Sequence, residues 1–251
     1  MPGHAPPTTL RPSMSRLRPD AHLVSLLAPG SFEAEQYRML RHVIERKHKE
    51  SNLSLVGVTS PEEGEGKTTT AINLAGSLAQ DLGCRVLLVD ADLRRPSVAE
   101  RLGLPRGNPG LVEAIMDPGI ALVDVVAVDR QYNLTVLPSG HGPSAPYEIL
   151  KSPALGEFLQ QLRQVFDYIV IDTAPIMPCP DPRAVEPWLD AFLLVVSAHK
   201  TPKSAVESSL SLMDRSKLLG IVFNNDDNAT AYGRRYSGYT SNYSGASART
   251  R

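Results

Sequence analysis

Residues 53–70 read LSLVGVTSPEEGEGKTTT, an apolar run that leads into a glycine-containing turn. The apolar part has the length and residue types of a buried strand. Gly64 and Gly66 allow a tight turn whose backbone N–H groups can point at phosphate oxygens. Lys67 and Thr68 complete the G-K-[ST] end of a phosphate loop, in which the lysine reaches the β- and γ-phosphates and the hydroxyl binds Mg²⁺. The stretch therefore predicts a nucleotide site at the start of a helix.

The helix that follows places the apolar residues at 71, 74, 75, 78, 79 and 82 on one face, and a glycine at 83 ends it. Its positive N-terminal end favours a bound phosphate. We expect Glu65 and Thr69, beside the glycines and the lysine, to belong to the same nucleotide-binding segment. The loop departs from the general pattern G-x-x-x-x-G-K-[ST], because Pro61 occupies the first glycine position.

Short apolar runs alternate with helical patterns along the rest of the chain. Six runs have the length of buried strands: 53–59, 85–90, 134–137, 168–172, 192–197 and 218–223. This alternation predicts an α/β fold with βαβ units and a mainly parallel sheet flanked by helices. Ligands of such sheets bind beyond the carboxyl ends of the strands.

Carboxylates follow two of the predicted strands. Asp90 and Asp92 end one strand, and Asp172 ends another. One aspartate after a strand is equally typical of a turn or a helix cap, but two such clusters beside a phosphate loop favour a Mg²⁺ site. Residues two apart in an extended segment point the same way. One of the first pair is therefore predicted to hold the metal, and the other to accept a hydroxyl proton.

The overall composition excludes several classes of protein. The 251 residues carry 26 Lys and Arg against 27 Asp and Glu, so no general basic field indicates nucleic acid as a partner. Cys84 and Cys179 are too few for a disulfide framework and lack metal-ligand spacing. No apolar run approaches the roughly 20 residues that span a bilayer, and prolines occupy the N-terminal stretch where a secretion signal would be apolar. We expect a cytoplasmic location, with any membrane association through a partner.

The chain divides into three compositional zones. Residues 1–20 are rich in proline and predict a disordered arm, and residues 21–227 have the apolar periodicity of one packed domain. Residues 228–251 contain four tyrosines, four arginines and no acid, and they predict a flexible tail. The tail carries +4 out of a total of −1, which leaves −5 on the rest of the chain.

Four features together resemble the bacterial tyrosine kinases, the capsule and exopolysaccharide autokinases built on a P-loop fold of the partitioning-ATPase and nitrogenase-reductase class. SPEEGEGKTTT is similar to the Walker A loop of that family, VLLVDADLRRP to its Walker A′ motif and YIVIDTAP to its Walker B motif. The fourth is the tyrosine cluster of the tail, namely Tyr232, Tyr236, Tyr239 and Tyr243. Two weaker similarities are SFEAEQYRMLRHVI at 31–44 and GHGPSAPYEIL at 140–150.

The resemblance implies ATP and Mg²⁺ as cofactors and transfer of phosphate to the four tail tyrosines. Lys67 would bind phosphate, Thr68, Asp92 and Asp172 would serve the metal, and Asp90 would activate the incoming phenol. Two residues keep open alternatives. Arg94 contacts either a phosphate or a neighbouring carboxylate. Asn224 either reads the adenine or forms a turn.

The resemblance also implies an assembly. Glu35, Arg38 and Arg41 lie along one side of a predicted helix and would form a subunit contact in a ring, although simple solvated surface explains them equally well. A ring would let the tail of one subunit enter the next active site and be phosphorylated in trans. The family's stand-alone members pair with a separate membrane adaptor of the polysaccharide co-polymerase type that activates the kinase, and a tyrosine phosphatase is the expected counterpart. No nucleic-acid partner is expected.

A partitioning or positioning ATPase without kinase activity is the alternative. Such ATPases carry a signature lysine four residues before the glycine of the G-K pair, where this chain has Glu62. That replacement, the Arg-Arg-Pro end of the A′ motif and the tyrosine tail favour the kinase.

Overall fold

A computed structural model of the chain describes residues 13–14, 16–105, 107–117 and 119–226. The predicted phosphoacceptors Tyr232, Tyr236, Tyr239 and Tyr243 lie outside the described residues, as does most of the predicted arm.

The sheet of the described part has eight strands. Their bounds are β1 Ser13–Met14, β2 Leu55–Thr59, β3 Val86–Asp90, β4 Ala127–Asp129, β5 Leu134–Leu137, β6 Tyr168–Asp172, β7 Ala191–Ser197 and β8 Leu218–Asn224. All six predicted strands are present within two residues of their expected ends. The two short strands β1 and β4 were not predicted, because they are too brief to show a periodic pattern.

The strands lie in the order β1-β4-β5-β3-β6-β2-β7-β8. Every neighbouring pair is parallel except β4 and β5. The mainly parallel α/β sheet is thus confirmed. The centre of the sheet is formed by β3, β6 and β2, so the three motifs that follow these strands come together at one edge.

Helices cover both faces of this sheet. Their bounds are α1 Val24–Leu27, α2 Phe32–Ser51, α3 Lys67–Leu78, α4 Val98–Arg101, α5 Leu111–Met116, α6 Leu122–Val125, α7 Pro146–Lys151, α8 Pro153–Val165, α9 Asp181–Val185 and α10 Lys203–Leu212. One core joins α3 to the sheet, with α1 and α2 packed outside it. A second core lies on the opposite face, under α5 and α7–α9. The predicted apolar face of α3 is confirmed through Ala79, which is buried directly after the helix ends at Leu78, but Leu82 is exposed.

The predicted disordered arm is wrong at its C-terminal end. Strand β1 pairs with β4, and Leu17 is buried with its N–H donating to Asp129 at 2.7 Å. The N–H of Arg18 donates to the carbonyl of Leu102 at 2.7 Å. The proline-rich composition suggested an unpacked arm, but these residues supply backbone partners and one apolar side chain that join them to the domain.

A half-buried carboxylate fixes the edge of the sheet opposite the phosphate loop. Asp190 accepts the backbone N–H groups of Ser54 and Leu55, each at 2.8 Å, and Arg163 binds it at 2.6 Å. Burial alone would raise the pKa of Asp190, but these hydrogen bonds outweigh it and lower the pKa below its usual value.

We predict that Asp190→Asn lowers the free energy of unfolding by about 2 kcal/mol at pH 7, because charged hydrogen bonds are lost at a half-buried site. A lowered native pKa contributes stability above the unfolded pKa of about 4, and this stability is lost as the pH falls. The difference between the variant and the wild type should therefore disappear in acid. Urea unfolding between pH 3 and pH 7 measures it, with Asp124→Asn on the exposed part of α6 as a control. A deficit independent of pH would contradict the prediction.

Candidate nucleotide site

The loop between β2 and α3 has the backbone of a phosphate cradle. Gly64 and Gly66 adopt φ of +75° and +91°, a region that L side chains rarely enter. A Cβ atom on Gly66 would lie 2.0 Å from Nδ2 of Asn224, so the second glycine is required by space as well as by conformation. The loop ends directly on the N-terminus of α3, whose unpaired N–H groups and dipole favour an anion.

Three residues from separate motifs meet at this helix terminus. Nζ of Lys67 lies 2.7 Å from Oδ2 of Asp92 and 3.8 Å from Oδ1 of Asp172. The side chain of the lysine is 11% exposed, and the two carboxylates are almost fully buried. Burial alone would lower the pKa of Lys67, but the charges of Asp172 and Asp92 outweigh it and raise the pKa. The lysine therefore stays charged and holds the carboxylates together.

The hydroxyl of Thr68 joins the same cluster. It donates to Oδ2 of Asp172 at 2.6 Å, and the hydroxyl of Ser97 donates to it at 3.2 Å. Burial raises the pKa of Asp172 to about 6, against the opposing effect of Lys67. Its other oxygen, Oδ1, is buried and accepts no hydrogen bond from the described residues.

These oxygens fit a Mg²⁺ ion that would be bound by the protein and by a nucleotide together. Mg²⁺ is usually held by one or two carboxylates together with phosphate oxygens and water. Thr68, Asp172 and Asp92 offer a hydroxyl and carboxylate oxygens, and the unpaired Oδ1 of Asp172 is a free ligand position. Among the described residues no group of three or more His, Cys, Asp or Glu side chains could hold a metal ion by itself.

Asp90 requires a correction. It is fully buried, and its oxygens accept the backbone N–H groups of Asp92 at 3.2 Å, Ser97 at 3.1 Å and Val98 at 3.0 Å. Burial, followed by the charge of Asp172, raises the pKa of Asp90 to about 8. The prediction that Asp90 activates a phenol does not fit this placement, because its oxygens face the loop 92–98 and not the cavity. Asp90 shapes the loop that carries Asp92.

A cavity of about 430 Å³ opens beside this cluster. One wall is charged and polar, with Lys67, Thr68, Asp92 and the arginines of the A′ segment, and the other is largely apolar. The apolar wall follows β6 and consists of Ala174, Pro175, Pro178 and Cys179.

The sequence left open whether Arg94 contacts a phosphate or a neighbouring carboxylate, and the structure shows a carboxylate contact. Its guanidinium makes two hydrogen bonds to the buried carboxylate of Asp181, at 2.7 and 3.0 Å, and it also lines the cavity. Arg94 is thus held by a carboxylate at the rim of the nucleotide site. Thr69, by contrast, belongs to the first turn of α3, where its carbonyl accepts the amide of Asn73 at 3.0 Å.

Glu65 and Asn224 support the loop through side chains. Nδ2 of Asn224 donates to the carbonyl of Glu65 at 2.9 Å, so the asparagine holds the loop between its two glycines. The carboxylate of Glu65 is buried and accepts the N–H of Glu62 at 3.1 Å and the hydroxyl of Thr201. Its burial raises the pKa. Base reading by Asn224 stays a prediction.

Of the three residues on α2 that were predicted to form a subunit contact, one makes its contacts within its own chain. Arg41 donates to Glu45 at 2.5 Å and to the carbonyl of Ser77 at the end of α3 at 2.9 Å, so it is engaged within its own chain. Glu35 and Arg38 form an ion pair of 2.9 Å and are more exposed. The regular spacing of the three residues did not reveal that the third one caps a neighbouring helix.

Three residues of the site were missed from the sequence: Ser97, Thr201 and Asp181. Each makes a side-chain hydrogen bond to a predicted site residue, namely Thr68, Glu65 and Arg94. None belongs to a recognisable motif. Ser97 lies directly after the A′ motif, and this proximity was the one available signal.

A family model and solved structures of known proteins agree on the fold class of this chain. The family described as "AAA domain" matches residues 55–181. The kinase domain of VpsO superposes with a TM-score of 0.70 at 32% identity, over 82% of this chain and 96% of that chain. The chimerical protein CapA2B2 gives a TM-score of 0.76 at 28% identity, over 86% and 94%. The Pyrococcus furiosus cell division ATPase MinD, at 24% identity and a TM-score of 0.56, shares the fold. The chain thus has the P-loop α/β fold of nucleotide-binding proteins.

Relatives that are similar in sequence show the family within this fold class. Tyrosine-protein kinase YwqD of Bacillus subtilis is 34% identical over 82% of this chain and 87% of its own length. Tyrosine-protein kinase CpsD of Streptococcus agalactiae is 32% identical over 82% and 89%. The chain belongs to the bacterial tyrosine kinase family.

A membrane span is not found in the described part of the chain. None of the helices there is both long and apolar enough to cross a bilayer.

Proposed function

We propose that the protein is an ATP-dependent tyrosine autokinase that phosphorylates its own C-terminal cluster and regulates capsule or exopolysaccharide synthesis or export. One observation carries the proposal. In a chain of the tyrosine kinase family, Lys67, Thr68, Asp92 and Asp172 converge within hydrogen-bond distance at the N-terminus of α3, beside a cavity that can receive a second substrate. The acceptors would be Tyr232, Tyr236, Tyr239 and Tyr243.

The chemistry follows from the residues that line the cavity. The loop N–H groups and Lys67 would bind the β- and γ-phosphates, and Thr68 and Asp172 would hold Mg²⁺, which would supply positive charge beside the transferred phosphoryl group. When Lys67 turns to the phosphates, it releases Oδ2 of Asp92. Asp92 lines the cavity and thereby replaces Asp90 as the carboxylate that accepts the proton of the phenol. The apolar wall receives the tyrosine ring.

The boundaries of the proposed domains follow from these separate roles of enzyme and substrate. Residues 16–227 would form the kinase domain, five residues longer than the predicted 21–227 because the end of the arm packs on it, and residues 228–251 would be its substrate tail. The tail carries +4 and the rest of the chain −5, so attraction keeps the tail near the body of a neighbouring subunit. Each phosphate adds about −1.5 to −2, so two or three cancel the tail charge and loosen the assembly.

A separate membrane adaptor of the polysaccharide co-polymerase type would bring the kinase to the inner face of the membrane and activate it. The names of two relatives support this. One relative, 33% identical, is a "succinoglycan biosynthesis transport protein", ExoP of Rhizobium meliloti, and the chain spans 26% of its length. Another is called a putative tyrosine-protein kinase, EpsB, of which the chain spans 29%. A tyrosine phosphatase would reverse the modification.

Mixing two variants tests the kinase and its action in trans together. The donor has all four tail tyrosines replaced by phenylalanine, and the acceptor carries Lys67→Met with an intact tail. With ATP, Mg²⁺ and a cytoplasmic fragment of the adaptor, we expect phosphotyrosine on the acceptor tail only. ATP hydrolysis without phosphotyrosine would contradict the kinase proposal and favour the partitioning-type ATPase. Phosphate that forms only on unmixed wild type would contradict transfer in trans.

Glu35 and Arg38 provide a prediction about the assembly. We expect Glu35→Ala combined with Arg38→Ala to reduce the oligomer to monomers, with the free energy of unfolding changed by less than about 1 kcal/mol, because their ion pair and the hydrogen bond from Arg38 to the carbonyl of Pro29 are both exposed. Arg41→Ala, in contrast, should lower the unfolding free energy by about 1–2 kcal/mol, because it removes contacts to Glu45 and Ser77. Light scattering and urea unfolding measure the two effects. An oligomer that survives the double change would contradict the assigned contact.

A further inference from the structure

The short turn after β7 reaches the phosphate loop from outside the nucleotide motifs. The hydroxyl of Thr201 donates to Oε1 of Glu65 and itself accepts the N–H of Ser197 at 3.1 Å. The turn is compact, with the N–H of Thr201 on the carbonyl of Ser197 at 3.0 Å and His199 at φ of +60°. Thr201 is thus fixed at the end of β7 with its hydroxyl aimed into the loop.

Glu65 is the residue of the loop that most needs such a fixed partner. It lies between Gly64 and Gly66, and both glycines adopt positive φ. Glycine gives the backbone its greatest conformational freedom, so the peptide groups of this segment are not oriented by local preference. The Glu65 side chain is 3% exposed, and a buried carboxylate is stable only when its oxygens are hydrogen-bonded.

Residues at the ends of two neighbouring strands bind the carboxylate and the backbone carbonyl of Glu65. Thr201, after β7, binds the carboxylate, and Asn224, at the end of β8, binds the carbonyl at 2.9 Å. The carbonyl of Asn224 in turn accepts the N–H of Ala198 at 2.7 Å, within the turn that carries Thr201. Nδ2 of Asn225 donates to the hydroxyl of Ser197 at 3.2 Å. The loop, the turn and the last described residues before the tail therefore form one hydrogen-bonded unit.

We propose that Thr201 is a positioning residue for the nucleotide: through the carboxylate of Glu65 it fixes the backbone N–H groups of residues 64–67 toward the phosphates. It contacts neither the cavity nor the nucleotide cluster described above. The same turn also contacts Asn224 and Asn225, which precede the tail in sequence. One element therefore orders both the phosphate loop and the residues before the tail. This inference rests on the nucleotide site of the proposed function, but it does not require phosphate transfer to tyrosine.

Thr201→Val removes the hydroxyl and keeps the shape of the side chain. We expect the Kd of Mg·ATP, measured by calorimetry on the full chain, to rise about tenfold, which corresponds to the loss of one hydrogen bond to a charged group. Thr201→Ser restores the hydroxyl and should return the Kd to within about twofold of the wild type. Thr135→Val, a matched change on β5 outside the cavity, should leave the Kd unchanged.

A double-mutant cycle separates positioning from general stability. In a Glu65→Ala background the hydroxyl has no carboxylate to bind, so we expect Thr201→Val to change the Kd less than twofold there. A tenfold rise that persists without Glu65 would overturn the inference, and so would an unchanged Kd in the single variant accompanied by a lowered melting temperature. Wild type that binds ATP but leaves the tail unmodified would contradict the kinase proposal and leave the role of Thr201 standing.

Discussion

Lys67→Met is expected to lower the rate of tail phosphorylation by at least about 100-fold, because it removes the ammonium group that lies between the phosphate loop and both carboxylates. The change also leaves Asp92 and Asp172 buried without a countercharge, which destabilises the fold. Loss of activity in this variant alone would therefore not separate chemistry from folding.

Lys67→Arg makes that separation. A guanidinium keeps the positive charge beside the carboxylates, but it is planar and larger than the ammonium that the loop encloses. We expect a melting temperature within a few degrees of the wild type and a rate still reduced at least about tenfold. Lys203→Met, at a position whose side chain is 90% exposed, is the matched control and should keep full activity. Full activity in Lys67→Arg would contradict the assigned role of the lysine.

Asp172→Asn is expected to have an effect of similar size for a different reason. The amide keeps the shape of the side chain and a partner for the hydroxyl of Thr68, but it removes a charged ligand for Mg²⁺. The rate should fall about 100- to 1000-fold at saturating ATP. The wild-type carboxylate is fully buried, so replacing it with a neutral group should leave the unfolding free energy unchanged or raise it.

A raised Mg²⁺ requirement is the signature of this second prediction. Titration of the rate with Mg²⁺ should show a weaker apparent affinity in Asp172→Asn than in the wild type. Asp167→Asn is the matched control, since this residue precedes β6 at the opposite edge of the sheet and pairs with Arg85 at 3.0 Å. It should change stability only slightly and leave the Mg²⁺ dependence as it is. Equal Mg²⁺ dependence in Asp172→Asn and the wild type would contradict a metal-binding role.

The sequence was sufficient for those parts of the fold that depend on local pattern. Short apolar runs and the spacing on α3 predicted the six main strands and the helix of the phosphate loop. The loop itself was recognisable because its chemistry needs a fixed order of glycine, lysine and threonine. Convergence of Asp92 and Asp172 on Lys67 followed from the rule that parallel strands end at one edge.

Other features depend on long-range contacts that no local pattern contains. Asp90 and Asp92 were expected to point the same way, but the chain turns after β3, and three backbone N–H groups enclose Asp90. Arg41 caps the end of α3, and β1 pairs with β4 although the composition there resembles a linker. Thr201 is 136 residues from Glu65 in sequence, and it lies in no motif. Side chains that position the site are thus harder to predict than those that contact its ligand.

We propose that this nucleotide site serves phosphate transfer to the chain's own tyrosine tail. Peptide mass spectrometry of the full chain after incubation with ATP, Mg²⁺ and the adaptor fragment tests it most directly. We predict phosphate on at least one of Tyr232, Tyr236, Tyr239 and Tyr243 in the wild type and on none of them in Lys67→Met. A wild-type chain that binds and hydrolyses ATP while all four tyrosines stay unmodified would contradict the account.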